Sequence, residues 1–153
     1  MTRDLPKLNR VVVKVGSSSL CHKNGKIDPK RIEAIAEDIA SLIQEDIQVV
    51  LVSSGAVAAG RHILNENETA IEIKQAAAAI GQIILLGTFQ QNFRTHDLTI
   101  AQILLTHEDL QDRRRYLSAR NTLVNLLDHG IVPIINENDS ISWSFNKMRL
   151  ANN

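Results

Sequence analysis

Ile47–Val52 (IQVVLV) runs straight into Ser53-Ser54-Gly55 and then into Ala56-Val57-Ala58-Ala59-Gly60. A short β-branched apolar run of this kind reads as a strand buried on both faces. Serines and a glycine end it, and the small residues beyond them read as a helix over Ala56–Ile63. A strand that stops in a polar turn and feeds a helix is the building unit of α/β folds.

The same grammar extends in both directions. Upstream, Arg10–Val15 (RVVVKV) is another β-branched run, stopped by Gly16 and the serines after it. Asp28-Pro29 then opens a helix, because Asp caps well and Pro suits the first helical position. Ile32, Ile35, Ala36, Ile39, Leu42 and Ile43 give that helix one apolar face. Downstream, Asn65–Thr69 is a polar connection, and Ala70 to about Phe93 reads as a long alanine-rich helix with bends expected at Gly81 or Gly87. Leu98–Leu105 is a third strand, Thr106–Arg115 reads as charged and irregular, and Leu117–Leu127 as a helix. Ile131–Ile135 (IVPII) is a fourth strand, ended by Asn136–Asp139 (NEND). Strands that are apolar rather than alternating need helices on both faces. The expected fold is therefore α/β, a three-layer sandwich with a mainly parallel sheet. Residues 10–139 are expected to form one domain, with a lead over 1–9 and a tail over 140–153.

The bulk composition narrows the functions. The chain has 153 residues, 44% apolar and 22% charged, with a formal net charge of zero. That composition suits one globular domain with a real core. A neutral chain with 3% aromatics is a poor nucleic-acid binder. The start carries no secretory signal, and the longest apolar stretches, Ala76–Ile80 and Ile83–Leu86, are too short to span a bilayer. With Cys21 as its one cysteine, the chain reads as soluble and cytoplasmic, with no membrane partner. The five histidines have no metal-ligand spacing, so no protein metal site is expected.

In parallel sheets, ligands bind at the carboxyl ends of the strands. Polar clusters stand at the ends of the first, second and fourth strands. At the first, Gly16 and Ser17–Ser19 offer backbone and hydroxyl donors for an anion. Lys14 brings positive charge that can neutralise a transferring phosphoryl group. The spacing is neither that of a Walker loop nor that of a dinucleotide motif. The alternative is a plain strand-ending turn. At the second, Ser54, Gly55 and Ala56 open a helix whose amide groups favour an anion; the alternative is a serine cap. At the fourth, Asn138 and Asp139 lie in a run of polar side chains that can take an ammonium group, against the alternative of a solvated turn. An anion site opposite an ammonium site fits an amino acid. Asp109–Arg120 (DLQDRRRYLSAR) is the most charged stretch; its interleaved acids favour a mixed-charge surface over a phosphate or nucleic-acid site.

Read together, V-V-K-V-G-S-S, V-L-V-S-S-G-A-V-A-A-G, K-Q-A-A-A-A-I-G-Q, L-L-T-H-E-D-L-Q-D-R-R-R-Y-L-S-A-R-N-T-L and I-V-P-I-I-N-E-N-D resemble the glutamate 5-kinases of the amino-acid kinase family, from about Arg10 to Asp139. The resemblance implies transfer of the ATP γ-phosphate, with Mg2+, to the side-chain carboxylate of L-glutamate, the first step of proline synthesis. It implies Lys14 as the catalytic residue at the ATP phosphates, with Gly16 and Ser17 in the phosphate-facing loop. It gives glutamate to Ser54, Gly55, Ala56, Asn138 and Asp139. It also implies a homo-oligomer and proline as a feedback inhibitor. His107 and Ser118 depart from the family's usual arginine and asparagine. Ser140–Asn153 (SISWSFNKMRLANN) does not match the G-D-N-D segment that follows in the family, and the ending reads as truncated or frame-altered, without the nucleotide-binding half. A second reading follows: an inactive remnant or assembly subunit that keeps only the acceptor side.

Overall fold

A computed structural model describes residues 8–64 and 70–141. Most of the expected lead and tail, and the Asn65–Thr69 connection, lie outside the described residues. Strands β1 (Arg10–Val15), β2 (Gln48–Ser53), β3 (Ile100–Leu105) and β4 (Val132–Glu137) form one sheet in the order β1-β2-β4-β3. Every pairing is parallel. The helices are α1 (Ser17–Leu20), α2 (Pro29–Gln44), α3 (Ala56–Leu64), α4 (Ile71–Arg94), α5 (His107–Gln111) and α6 (Arg113–Asp128).

Strand order and handedness fix the layers. The chain steps from β1 to β2, and from β2 past β4 to β3, in one direction across the sheet. It then steps back from β3 to β4. Parallel crossovers are right-handed, so α2, α3 and α4 must share one face and α6 must take the other. The contacts agree. α4 packs on α2 and α3, whereas α6 packs on β4. Asn136 Nδ2 donates to Gln82 Oε1 of α4 at 2.7 Å, and Gln48 Nε2 donates to the Leu127 carbonyl of α6 at 3.2 Å from the opposite face.

The core lies between the sheet and the α2–α3–α4 layer. Leu20, Ile32, Ile39, Val49, Leu51, Leu85, Phe89, Phe93, Val132 and Ile134 are fully buried there, with the Phe89 and Phe93 ring centroids 6.2 Å apart. Asp28 caps α2 by accepting from the Lys30 amide at 3.1 Å, as the Asp-Pro pair implies.

Other expectations are corrected. The three serines after Gly16 make the short helix α1 rather than an open loop. Thr106–Arg115 is not irregular. Thr106 and Asp109 form a capping box on α5, and Asp112 caps α6 by accepting from the Arg114 and Arg115 amides. The polar side chains that suggested irregularity are satisfying helix ends. α6 therefore starts at Arg113. The long alanine-rich helix is found where expected, as α4 over Ile71–Arg94.

Candidate functional site

Two grooves flank the carboxyl edge of the sheet. The larger, about 670 Å³, lies on the α3 side. Ser17, Ser54, Gly55 and Asp139 line it, together with Val57, Ala58, Arg61 and His62 of α3 and the turn residues Lys23, Asn24 and Gly25. Clusters far apart in sequence thus meet at the carboxyl ends of β1, β2 and β4, where an α/β sheet holds ligands.

Each wall has a local cause. Gly55 has φ 110°, a conformation L side chains rarely adopt. It turns the chain from β2 into α3 and brings the backbone against α1: a Cβ there would lie 3.4 Å from Cys21 Sγ and 3.6 Å from Ser17 Cα. The Ser54 hydroxyl points back toward β1 and donates to the Val15 carbonyl at 3.4 Å. The turn over the groove hangs between Cys21 and Ile27, which form an antiparallel bridge. The His22 amide donates to the Lys26 carbonyl at 2.8 Å and the Gly25 amide to the His22 carbonyl at 2.9 Å. Gly25, at φ 84°, sits so close to α3 that a Cβ would come 2.6 Å from the Ala58 carbonyl oxygen.

The electrostatics of the groove are uneven. Asp139 is half-buried, and its desolvation, reinforced by the charge of Glu137, pushes its carboxyl up to about 6. The same groove is lined by Lys23, Arg61 and His62. Arg61 Nε is buried and has no hydrogen-bond partner among the described residues. Burial raises the Cys21 thiol, and the Arg31 guanidinium partly offsets this. Arg31 itself donates to the Ser18 carbonyl at 2.9 Å and pairs with Asp28 at 3.2 Å, so it ties the base of the turn to α2.

The other expected residues fall elsewhere. Strand alternation puts Lys14 on the opposite face from Val15, exposed and in register with Val52. Ala56 is buried at the start of α3, beneath the groove rather than on its surface. The Asn138 side chain accepts from the Ser140 hydroxyl at 2.7 Å and its amide donates to the Leu105 carbonyl at 2.9 Å; it does not line the groove. Gly16 faces open space, with nothing within 4 Å of an added Cβ. The second groove, about 470 Å³, opens on the Lys14 side of the sheet and is lined by the apolar Val52, Leu105, Leu110 and Ile135 together with Thr106, His107, Asn136 and Glu137. Arg115 pairs with Asp109 at 3.0 Å, so part of the basic run is neutralised locally. Among the described residues no group of three His, Cys, Asp or Glu side chains could hold a metal ion.

Sequence reasoning missed Lys23, Asn24, Gly25, Arg61 and His62. The signal for Arg61 and His62 was present: they follow Val57 and Ala58 at i+4, so one face of α3 carries all four. The turn over Lys23–Gly25 gave no comparable sign, because only its packing on α3 brings it to the groove.

Known proteins bear on these features. The sequence profile described as the amino acid kinase family matches residues 9–145. "Glutamate 5-kinase" of Citrifermentans bemidjiense is 48% identical over 139 residues, covering 90% of this chain and 37% of the relative. That of Pelobacter propionicus is 51% identical over 144 residues, covering 92% and 39%. That of Clostridium acetobutylicum is 46% identical over 138 residues, covering 89% and 52%. The chain thus spans between 37% and 52% of the length of these relatives. Among solved structures, UMP kinase from Bacillus anthracis superposes with a TM-score of 0.54 at 21% identity, over 83% of this chain and 52% of that one, which is a likeness of fold. With a profile match along most of its length, the chain belongs to the amino acid kinase family.

Proposed function

We propose that the groove is the acceptor site of a glutamate 5-kinase, and that the chain binds L-glutamate for phosphorylation of its side-chain carboxylate. The observation that carries this reading is the meeting of Ser17, Ser54, Gly55 and Asp139 in one groove, in a chain whose relatives are glutamate 5-kinases at 46–51% identity. In this reading Asp139 takes the substrate ammonium, and the Ser54 hydroxyl and the start of α3 take negative charge.

The fit of the residues to a nucleotide is partial. The Gly16 turn is open and Lys14 is exposed at the same strand end, as a phosphate chain would need; magnesium, in this reading, comes with the nucleotide as its counter-ion. ATP supplies the group transferred: a carboxylate oxygen bonds to the γ-phosphorus, and the bond to the β,γ-bridging oxygen breaks with its electron pair leaving on ADP. The acceptor is already an anion, so no residue of the chain need remove a proton. Lys14 contributes by neutralising charge, and the groove by holding the carboxylate in line. Proline synthesis, a cytoplasmic setting, self-assembly and feedback by proline belong to the same reading. Among the described residues no helix is long and apolar enough to cross a membrane.

The test is ATP- and glutamate-dependent acyl-phosphate formation by the purified chain, trapped with hydroxylamine, beside Lys14→Ala. A signal that disappears in the variant supports the reading. No signal from folded wild-type chain overturns it as a statement about turnover and favours a non-catalytic chain that keeps the acceptor groove.

A further inference from the structure

Arg61 carries the one buried side-chain polar atom without a hydrogen-bond partner among the described residues. Its Nε lies out of solvent contact with no acceptor among the described residues, and a buried donor of a charged group left unpaired is costly. The side chain lines the larger groove, so a ligand held there meets the guanidinium group.

The charges around it specify that acceptor. Lys23 and Arg61 are positive, His62 stands beside them, and Asp139 is the one acidic residue of the lining. A ligand carrying one ammonium and two carboxylates complements this set; an amino acid with an uncharged side chain leaves a cation unmatched. A guanidinium is suited to a carboxylate, which it binds through paired N–H groups.

Position then separates the two carboxylates. The start of α3 abuts the strand end that carries Gly16 and Ser17, since Gly55 packs on Ser17. Arg61 lies five residues beyond Ala56, about 7.5 Å along a helix that rises ~1.5 Å per residue. The carboxylate to be phosphorylated belongs at the Gly16 end. The one that does not react belongs at the Arg61 end, beside the ammonium on Asp139.

We propose that Arg61 is the specificity residue for the non-reacting α-carboxylate of an acidic amino acid bound in this groove. The assignment rests on reading the groove as the acceptor site. Titration calorimetry on the whole chain tests it, with L-glutamate and its α-carboxamide as ligands. Wild-type protein is expected to prefer glutamate by roughly tenfold to a hundredfold, the value of one hydrogen-bonded charge pair. Arg61→Gln should bind glutamate only as well as the amide, and Arg61→Lys should restore part of the preference. Circular dichroism of each variant checks its folding; if Arg61→Gln does not fold, the wild-type comparison decides. Equal wild-type affinity for the two ligands, or a preference that survives in folded Arg61→Gln, overturns the role of Arg61 while leaving the acceptor site in place. Absence of any glutamate binding to folded wild type overturns both.

Discussion

Asp139 carries a cost that the bound substrate would relieve. Its ordinary value of 3.8 is raised to about 6 in the folded chain by burial and by Glu137. The sign for stability follows from linkage. A carboxyl whose folded value is raised contributes stability below its ordinary value, and that contribution is lost as pH rises through about 6. The sign for binding is the reverse, because an ammonium needs the ionised form. Glutamate affinity should hold steady above about pH 7 and fall by at most about tenfold per unit below about pH 6. Asp139→Asn should bind weakly with little pH dependence. Calorimetry across that range checks this, and a flat wild-type profile would contradict the assigned contact. Gly55 makes a second prediction at this scale. The space beside it admits a methyl group, since the nearest atom is at 3.4 Å, but its φ of 110° does not suit one. Gly55→Ala should destabilise the chain by about 1–3 kcal/mol, read by denaturant unfolding, and should weaken glutamate binding as well. Ser54, Gly55 and Asp139 were legible in the sequence because each ends a recognisable strand. Lys14 was legible as a strand-end cation, yet the face of the sheet it takes was not. One step of strand alternation puts Val15 in the core and Lys14 on the far side of the sheet. Asn138, also expected to meet the ligand, has its side-chain oxygen taken by the Ser140 hydroxyl, a contact with no sign in the sequence.

At the scale of elements, α3 holds its place because α4 approaches it at van der Waals distance without side chains between. A Cβ on Gly81 would lie 1.8 Å from the Ala56 carbonyl oxygen, and one on Gly60 would lie 1.7 Å from that of Ala77. Gly81 therefore sets the height of the first turn of α3, which floors the groove. Gly81→Ala gains helix propensity of about 1 kcal/mol but forces the two backbones apart, and overpacking costs about 1–3 kcal/mol or more. The net expectation is a lower thermal midpoint and weaker glutamate binding, whereas Gly87→Ala, with open space around it, should stabilise the chain. Equal behaviour of the two variants would show that the helices can separate without penalty. The long helix itself was legible from its alanines. The role of its glycines was not: a glycine inside a helical pattern reads as a bend unless the neighbouring helix is known. The charged stretch before α6 was misread for a related reason, since capping side chains look like loop residues until their amide partners are identified. Asp112→Ala removes the acceptor of two amide groups and should cost about 1 kcal/mol, measurable by chemical denaturation.

At the scale of the molecule the sheet is covered unequally. Among the described residues α2, α3 and α4 bury one face, but α6 lies on β4 and leaves β1 uncovered on the other. Val12 is 66% exposed there, and β1 is an edge strand of the described sheet. A second apolar surface lies on the outer side of α4, where Ile83 is 77% exposed. Edge strands with apolar faces pair with other chains, and so do apolar helix faces. The layered fold was legible from the strand–helix alternation. This imbalance was not, because it depends on which strands each crossover helix reaches. The expected outcome is concentration-dependent self-association of the purified chain in sedimentation velocity. Separate variants locate its origin. Val12→Lys puts charge on the bare sheet face beside Arg10 and Lys14, and Ile83→Glu puts charge on the helix face, each without disturbing the buried side. If Ile83→Glu alone yields a monomer, the contact is helix on helix and the grooves at the sheet edge stay open. If Val12→Lys alone does so, the contact runs along the sheet beside Lys14, and assembly would also control access to the strand end where phosphate is expected. A sharp monomer boundary for the wild type at every concentration would mean that neither surface associates.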